Sequence, residues 1–266
     1  TAVLARSGIR VFGGVRKRAD GDRLKQALGT SFEPLYFDVT DRKAIAAAAS
    51  IVERSLGEDR LFGLVNNAGL AVLGPLLHLT PDALRHQLEV NVIGQLAVTQ
   101  AFAPILGTDP ARRGTPGRVV MMSSVAGRNG SPFIGAYSAS KFGLEGLSES
   151  LRRELMLFGI DVVIIAPGPI ATPIWDKADG LDLESFADSP YLQALTRAKG
   201  AIAEGRLGWP AERVGETVLR ALTTPRPKVR YTVTPKRLQQ HLVGWLPRRV
   251  IDRAVAKRLG LNPRNR

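Results

Sequence analysis

The chain contains no cysteine, and this absence excludes several kinds of chemistry. Without thiols a protein forms no disulfides, holds no metal through thiolates and has no cysteine nucleophile. Its three histidines, His78, His86 and His241, are not spaced as metal ligands usually are. We therefore expect no metal site, and the lack of cysteine fits a cytoplasmic protein.

Long hydrophobic runs are also absent. No apolar stretch approaches the roughly 18 residues that cross a membrane. The first residues lack the charged and apolar segments of a secretion signal. With 266 residues, of which 44% are hydrophobic and 23% charged, the chain can form a substantial core. We predict one α/β domain.

Acidic residues are scarce only near the C-terminus. From residue 225 to residue 266 the chain has twelve Lys or Arg and one acid, Asp252. Residues 1–224 hold 25 basic and 23 acidic residues, so the net charge of +13 belongs mainly to the tail. A nearly neutral body argues against nucleic acid as a partner.

Short apolar segments alternate with amphipathic ones along the chain. Most of the apolar segments are rich in β-branched residues and hydrophobic on both faces, as strands covered by helices on two sides are. This alternation predicts a doubly wound, mostly parallel sheet with helices on both faces. The predicted strands are 9–13, 34–38, 61–66, 118–122, 161–166 and 229–233, and the predicted helices are 20–28, 41–56, 81–106, 137–158 and 211–223.

Polar or glycine-containing turns follow four of the predicted strands. Asp38 closes the second strand, Asn67 follows the third, Ser124 comes shortly after the fourth and Pro167 follows the fifth. The carboxyl ends of parallel strands meet at one edge of the sheet, where such folds bind their ligands. We expect these turns to form one site.

Tyr137 and Lys141 lie four residues apart where a helix is predicted to begin. Residues with this spacing share one helix face, so the phenol and the ammonium can reach one space. With Ser124, NNAG at 66–69 and PGPIAT at 167–172, the pair resembles the short-chain dehydrogenase/reductase family, which has a Rossmann-like fold. The resemblance covers most of the chain. PRPKVRYTV at 225–233 is similar to its steroid- and retinol-dehydrogenase branch.

The resemblance implies hydride transfer between a nicotinamide cofactor and an alcohol or ketone. Tyr137 would exchange a proton with the substrate oxygen, and the ammonium of Lys141 would lower the phenol's pKa from its usual value of about 10. Ser124 would donate a hydrogen bond to that oxygen, and Asn91 would support a water relay to Lys141. Simpler interpretations are a helix-terminal pair, a turn serine and a buried asparagine that holds a helix.

The same resemblance assigns cofactor contacts. Lys141 would hold the nicotinamide ribose beside Tyr137. Arg16 follows the strand after which NAD enzymes of this fold place an acid, and it would pair with a 2′-phosphate, so NADP is predicted in preference to NAD. Ordinary tight turns and a solvated basic turn are the alternatives. The remaining predicted contacts are Asp38 and Val39 at the adenine, Asn67, Ala68 and Gly69 at the ribose, and Pro167, Gly168, Ile170 and Thr172 along the nicotinamide.

One element of the family pattern, the glycine-rich loop between the first strand and the first helix, is missing from this sequence. The chain opens with TAVLARSGIRVF, which reads as the end of that helix followed by the second strand. About 20 residues are missing relative to the pattern, enough for a strand and its turn. We expect that the natural protein begins earlier, because a chain starting at Thr1 would have a gap in its sheet and half of a pyrophosphate site.

The basic tail is predicted to form two amphipathic segments. Their apolar stripes would either pack on the protein itself or lie on a membrane surface with the flanking arginines. We divide the chain into a dinucleotide-binding and catalytic domain at 1–233 and an extension of the same domain at 234–266. The stripe residues are Leu238, Leu242, Trp245 and Leu246, followed by Val250, Ile251, Ala254, Val255 and Leu259.

The branch of the family suggests a small apolar alcohol or ketone as substrate, similar to a steroid, a retinoid or a lipid. Relatives pair through helices such as 81–106 and 137–158, which implies a homo-oligomer. A non-catalytic binding or membrane-surface protein on a degenerate reductase scaffold is the alternative, because the glycine loop is missing. Residues that would form the walls of an apolar pocket, or else pack in the core or lid, are Phe133, Ile134, Trp175, Leu181 and Phe186.

Overall fold

The computed structural model describes residues 1–172, 182–203, 208–235 and 246–261, with the backbone alone at 201–203. Within these ranges all strand pairings are parallel. β1 (Val11–Val15) pairs with β2 (Phe32–Tyr36), and β6 (Ile170–Ala171) pairs with β7 (Trp209–Pro210). The larger sheet has the order β3-β4-β5-β8, formed by Gly63–Asn66, Arg118–Met122, Asp161–Pro167 and Arg230–Val233.

The predicted parallel α/β fold is confirmed, with differences at the strand ends. The β1–β2 pair is separate from the four-stranded sheet among the described residues, as expected for a sheet with a gap. β1 lies two residues later than predicted because its ladder begins where Val11 pairs with Phe32. Phe32 is fully buried, and its packing starts β2 two residues before the predicted Pro34.

Alternate residues of β4 supply the two main parts of the core. Val119 and Met121 face a cluster with the helices on one side of the sheet, whereas Val120 and Met122 face a cluster on the other side. All four are buried. Successive side chains point to opposite faces of the sheet, and both faces are apolar, which is typical of a parallel strand covered by helices on both sides.

Helices flank the sheet at bounds close to those predicted. Asp41 caps the start of α3 (Arg42–Leu56) by accepting hydrogen bonds from the backbone N–H groups of Lys43 and Ala44. Arg118 of β4 donates to three carbonyls at the C-terminal end of α8. The helices are α1 (Ala2–Arg6), α2 (Arg18–Leu28), α3 (Arg42–Leu56), α6 (Gly135–Glu154), α7 (Leu192–Ala203), α8 (Ala211–Thr223) and α9 (Arg248–Leu259).

One long helical segment runs from Pro81 to Thr108 and contains two π-helical turns. Thr80 caps its start by accepting a hydrogen bond from the Ala83 backbone N–H. By length and composition the segment could cross a membrane, contrary to the prediction from the sequence, but more than half of its most apolar 18-residue window is buried inside the protein. It is therefore a core helix. Its parts are α4 (Pro81–Leu88), a π turn (Glu89–Ile93), α5 (Gly94–Ala103) and a second π turn (Pro104–Thr108).

A small third cluster joins the tail to the body. Leu259 of α9 is buried with Leu195 of α7 and with Phe133, and Val255 packs against them. Val250 is exposed. The second tail segment thus packs on the protein itself, whereas residues 236–245, with Leu238, Leu242 and Trp245, lie outside the described residues.

Candidate active site

Tyr137 and Lys141 lie on the first turns of α6, facing the carboxyl end of β4. The Lys141 side chain is buried, with its residue 5% exposed, and its Nζ donates to the Met122 carbonyl at 2.7 Å. The same ammonium lies 5.6 Å from the centre of the Tyr137 ring. The predicted i, i+4 spacing therefore brings both groups into one space.

The pKa values of this pair are set mainly by burial. Burial lowers the pKa of Lys141 to about 8, because the charged ammonium is disfavoured away from water. Burial raises the pKa of Tyr137, and a hydrogen bond from Ser124 acts in the opposite direction. The predicted lowering of the phenol's pKa by Lys141 is not found. Burial raises that pKa instead, so the phenol is held in its protonated form.

Ser124 follows β4 and faces Tyr137. Its hydroxyl donates a hydrogen bond to the Pro167 carbonyl oxygen at 3.4 Å, and it is close enough to the Tyr137 phenol to act toward a lower pKa of that group. It also accepts a hydrogen bond of 3.1 Å from the Ala126 backbone, which starts a short 3-10 turn. Ser124 therefore begins a turn, as the simpler interpretation held, and also lies beside Tyr137, as the predicted catalytic role requires.

Asn91 lies in the π turn of the long helical segment and is fully buried. Its Nδ2 donates to the Leu70 carbonyl and to Ser140 Oγ, both at 3.0 Å, and its Oδ1 accepts from the Leu70 N–H at 2.9 Å. Ser140 Oγ in turn donates to the Tyr137 carbonyl at 2.7 Å. Asn91 thus joins the loop after β3 to the first turn of α6, next to Lys141.

Two further amides on the same helical segment were missed by the sequence analysis. Gln87 donates to the Leu70 carbonyl at 2.8 Å and accepts from the Val72 N–H at 2.7 Å. Gln95 donates to the Ala68 carbonyl at 2.6 Å. With Asn91 they form a row of buried amides at i, i+4 and i+8, and this spacing is the signal that could have revealed them.

The π turn has a local consequence for Gln95. The Gly94 N–H bonds to the carbonyl of Glu89, five residues back, instead of the carbonyl of Val90. Gln95 Nε2 lies 3.3 Å from the Val90 carbonyl and donates to it. The side chain therefore satisfies an acceptor that an α-helix would have bonded within its own backbone.

The loop after β3 leaves Asn67, Ala68 and Gly69 exposed at the same edge of the sheet. A Cβ added at Gly69 would lie 3.4 Å from Asn91 Oδ1 and 3.8 Å from Lys141 Nζ. This closeness shows that the loop backbone runs directly beside the lysine. Glycine leaves room there for a ligand to approach the backbone.

Arg16 and Asp38 follow β1 and β2 and meet at the other end of the site. Arg16 Nη1 lies 3.8 Å from Asp38 Oδ2, and the arginine side chain is 76% exposed. Hydrogen bonds from Thr40 lower the pKa of Asp38, and the charge of Arg16 adds to that effect. Val39 packs against Gly94, where an added Cβ would come within 3 Å of it.

The segment after β5 lies next to Ser124. The Gly168 N–H donates to the Val233 carbonyl at 2.9 Å, and an added Cβ at Gly168 would collide with Thr234. Ile170 is buried in β6, and Thr172 is partly buried at the end of a described range. The carbonyl of Pro167 is the atom of this segment that reaches Ser124.

Comparison with known proteins identifies the family. Residues 1–180 match the family model described as short chain dehydrogenase. A protein described as NADPH-dependent 3-dehydrocapnine reductase, from Ornithobacterium rhinotracheale, is 37% identical over 254 residues, which cover 95% of this chain and 89% of the relative. The chain belongs to the short-chain dehydrogenase/reductase family. It is thus an oxidoreductase of this family.

Two further likenesses agree with this membership. Human 17-beta-hydroxysteroid dehydrogenase type 1 is 40% identical over 214 residues, 77% of this chain and 61% of that enzyme. The crystal structure of a short-chain dehydrogenase from Streptomyces avermitilis superimposes with a TM-score of 0.74 at 26% identity, covering 96% of this chain and 88% of that one. The predicted resemblance to the family and its Rossmann-like fold is confirmed.

The residues at this edge fit a dinucleotide of the kind that the short-chain dehydrogenase/reductase fold holds. Gly69 leaves the backbone open beside Lys141, and Arg16 offers an exposed cation at the opposite end. These are the features that a ribose and a phosphate require. The residues at both ends are therefore compatible with a bound nucleotide.

The predicted walls of an apolar pocket turn out differently. Phe133 is buried in the cluster with α7 and α9, and Phe186 packs against that cluster. Ile134 is the residue just before α6. The core-packing alternative holds for Phe133 and Phe186, while Trp175 and Leu181 lie outside the described residues.

Proposed function

We propose that this protein transfers a hydride between NADP(H) and the oxygen-bearing carbon of an apolar alcohol or ketone. The observation that carries the proposal is the convergence of Ser124, Tyr137 and Lys141. The Ser124 hydroxyl is close enough to the Tyr137 phenol to act on its pKa, and the Lys141 ammonium lies 5.6 Å from the centre of the Tyr137 ring. A proton donor, an oxygen-binding hydroxyl and a buried cation are what carbonyl reduction requires of the protein.

Tyr137 is the acid of the reaction. With a pKa above neutral pH, the Tyr137 phenol holds a proton that it can give to the substrate oxygen during reduction. Ser124 donates a hydrogen bond to that oxygen as negative charge develops. Lys141 opposes the negative charge that remains on the phenol oxygen. A bound nicotinamide supplies the hydride.

The choice of NADP over NAD rests on Arg16. Its guanidinium is exposed after β1 and is only loosely paired with Asp38, so it is free to turn toward a phosphate. The NADPH-dependent relative from Ornithobacterium rhinotracheale supports this choice. Lys141, Gly69 and the segment from Pro167 to Thr172 would hold the nicotinamide half.

The apolar character of the substrate is supported by one comparison. A relative is named as a hydroxysteroid dehydrogenase. We expect this chain likewise to act on a steroid-, retinoid- or lipid-like molecule.

The proposal is tested by the Tyr137→Phe variant assayed with a panel of ketones and aldehydes and both reduced cofactors. We expect the wild type to oxidise NADPH faster than NADH, and the variant to lose about 10³-fold in kcat, the middle of the range for general acid catalysis. Tyr231→Phe, which also removes a bonded phenol hydroxyl, is the matched control. A Tyr137→Phe enzyme that keeps its turnover would refute the assignment.

We also propose that the protein forms a homo-oligomer through α6 and the helical segment Pro81–Thr108. Apolar side chains are exposed on these elements, among them Phe142 and Leu157 on and after α6 and Ile93 in the π turn. A second copy would cover them. Light scattering of Phe142→Glu should then report a smaller assembly than the wild type, and an unchanged mass would contradict this interface.

A cytoplasmic location is part of the same proposal, and contact of the tail with a membrane surface stays a prediction. The exposed Leu246 and Val250, with Arg248 and Arg249, are the described residues available for such contact. Sedimentation with anionic vesicles tests it. The full chain should bind and a chain without 236–266 should not; equal binding by both would contradict the role of the tail.

A further inference from the structure

Three successive turns of α6 contact three neighbouring residues at the end of β4. The first two contacts along the helix involve Tyr137 and Lys141, which belong to the proposed reaction. The third involves Glu145, which lies four residues after Lys141 on the same helix face and has no part in the reaction as derived above. The pairs are Tyr137 with Ser124, Lys141 with Met122, and Glu145 with Ser123.

Glu145 joins four segments of the chain. Its carboxylate accepts hydrogen bonds from Ser123 Oγ at 2.9 Å, from Arg128 Nε at 3.1 Å and from Arg230 at 2.9 to 3.1 Å. Ser123 follows β4, Arg128 follows the turn that Ser124 begins, and Arg230 starts β8. One side chain of α6 therefore holds both ends of the segment that carries Ser124.

The carboxylate is buried and well satisfied. Its side chain is 8% exposed and that of Arg230 is 14% exposed. The two oxygens accept bonds from three side chains, which approaches the capacity of a carboxylate. This many charge-assisted hydrogen bonds fix the position of the carboxylate and of the groups bonded to it.

The turn that Ser124 begins packs closely on α6, so the distance between Ser124 and Tyr137 depends on Glu145. A Cβ added at Gly127 would lie 2.7 Å from Ser123 Oγ, 3.1 Å from Glu145 Oε1 and 3.1 Å from the Lys141 carbonyl. The turn thus lies directly on the helix with no room for a side chain. A shift at Glu145 would be passed to Ser124, one residue from Ser123.

We propose that Glu145 is a positioning residue: by bonding to Ser123 and Arg128 it holds the end of β4 against α6, so that the Ser124 hydroxyl stays within hydrogen-bond reach of Tyr137. The inference rests on the proposed function, because it assigns Glu145 to the reaction of that site. Displacement of a reacting group by about 1 Å costs about 100-fold in rate. Glu145 acts on kcat without touching substrate or cofactor.

The test is the Glu145→Gln variant, which keeps the shape but loses the charge and one acceptor. With the carbonyl compound that the wild type reduces fastest, we expect kcat to fall about 30- to 100-fold. The KM for NADPH should change less than about threefold, since Glu145 is not at the cofactor. Glu145→Asp should recover part of kcat, because the charge and its donors remain.

The matched control is Arg118→Lys, which weakens another buried arginine network of the same strand, away from the reacting groups. It should lower the melting temperature without lowering kcat. Ser123→Ala removes a single bond to Glu145 and is expected to fold, so it keeps the test valid if Glu145→Gln does not. We expect Ser123→Ala to lower kcat about threefold to tenfold at an unchanged melting temperature.

Hydrogen exchange separates the failure of this inference from failure of the proposed function. If the wild type reduces no compound of the panel, the proposed function fails. The positioning role is then decided by exchange in 123–128, which should speed up in Glu145→Gln and not in Arg118→Lys. With an active wild type, the inference is overturned if Glu145→Gln and Ser123→Ala keep kcat within about threefold. It is also overturned if exchange in 123–128 does not change.

Discussion

The two ends of the site differ in how firmly the protein holds its polar groups. At the α6 end, Lys141 and Asn91 are buried and bonded to backbone carbonyls at 2.7 and 3.0 Å. At the β1–β2 end, Arg16 is 76% exposed and lies 3.8 Å from Asp38. Bond formation needs fixed atoms, whereas recognition of a charged group tolerates a mobile side chain. If the proposed function holds, the firmly held α6 end carries out the reaction and the exposed β1–β2 end selects the cofactor.

Substitutions at the two ends should therefore impair the protein in different ways. A buried polar group that loses its partner leaves an unsatisfied donor or acceptor and costs roughly 1–3 kcal/mol. An exposed ion pair contributes about 0–1 kcal/mol and is screened by salt. The α6 end should thus be sensitive in both rate and stability, and the β1–β2 end only in ligand preference.

The sharpest test of the comparison is Lys141→Met, which keeps the length of the side chain and removes its charge. We expect kcat/KM with NADPH to fall about 10²- to 10³-fold, because both the cation beside Tyr137 and a cofactor contact are lost. Lys17→Met, at an exposed position after β1, is the control and should lose less than about threefold. Activity of Lys141→Met within tenfold of the wild type would remove the distinction between the two ends.

The row of buried amides gives the next largest effect. Gln87→Leu leaves the Val72 N–H without its acceptor and the Leu70 carbonyl with one donor fewer. We expect the free energy of unfolding to fall by about 2–4 kcal/mol. Gln100→Leu, at an exposed position of the same helical segment, should change it by less than about 0.5 kcal/mol. Urea denaturation measures both, and equal losses would show that the row has no special role.

The same contrast explains which parts of the molecule the sequence could predict. Ser124, Tyr137 and Lys141 follow from local spacing and from the rule that parallel strands end at one edge. Glu145 does not, because its partner Arg230 is 85 residues away and a polar helix residue reads as solvent-facing. The direction of the phenol's pKa was also missed, since it depends on burial that no local pattern encodes.

Protonation of Lys141 provides a smaller effect. Its pKa is about 8 in the folded protein and 10.5 as an ordinary value. Above pH 8 the folded state releases this proton before the unfolded state does, so the contribution of Lys141 to stability rises with pH. Between about pH 8 and 9.5, without cofactor, the wild type should gain about 1–2 kcal/mol relative to Lys141→Met.

The upper limit of that window is set by Tyr137. Burial raises its pKa above the ordinary value of 10.0, so the folded state keeps the phenol's proton longer and loses stability as pH rises further. Denaturation curves at several pH values, with Lys17→Met as a reference that keeps the lysine, measure the slope. Parallel curves for the wild type and Lys141→Met would show that the ammonium is not desolvated.

The smallest effect is expected at the exposed end. Arg16→Ala removes a cation that could meet a 2′-phosphate, so the KM for NADPH should rise about tenfold while the KM for NADH stays unchanged. Because the Arg16 side chain is exposed, the melting temperature should not move. Lys17→Ala is the neighbouring control. An equal rise in KM for both cofactors would mean that Arg16 acts through Asp38 on adenine binding, and the β1–β2 end would then not select between the phosphorylated and unphosphorylated nucleotide.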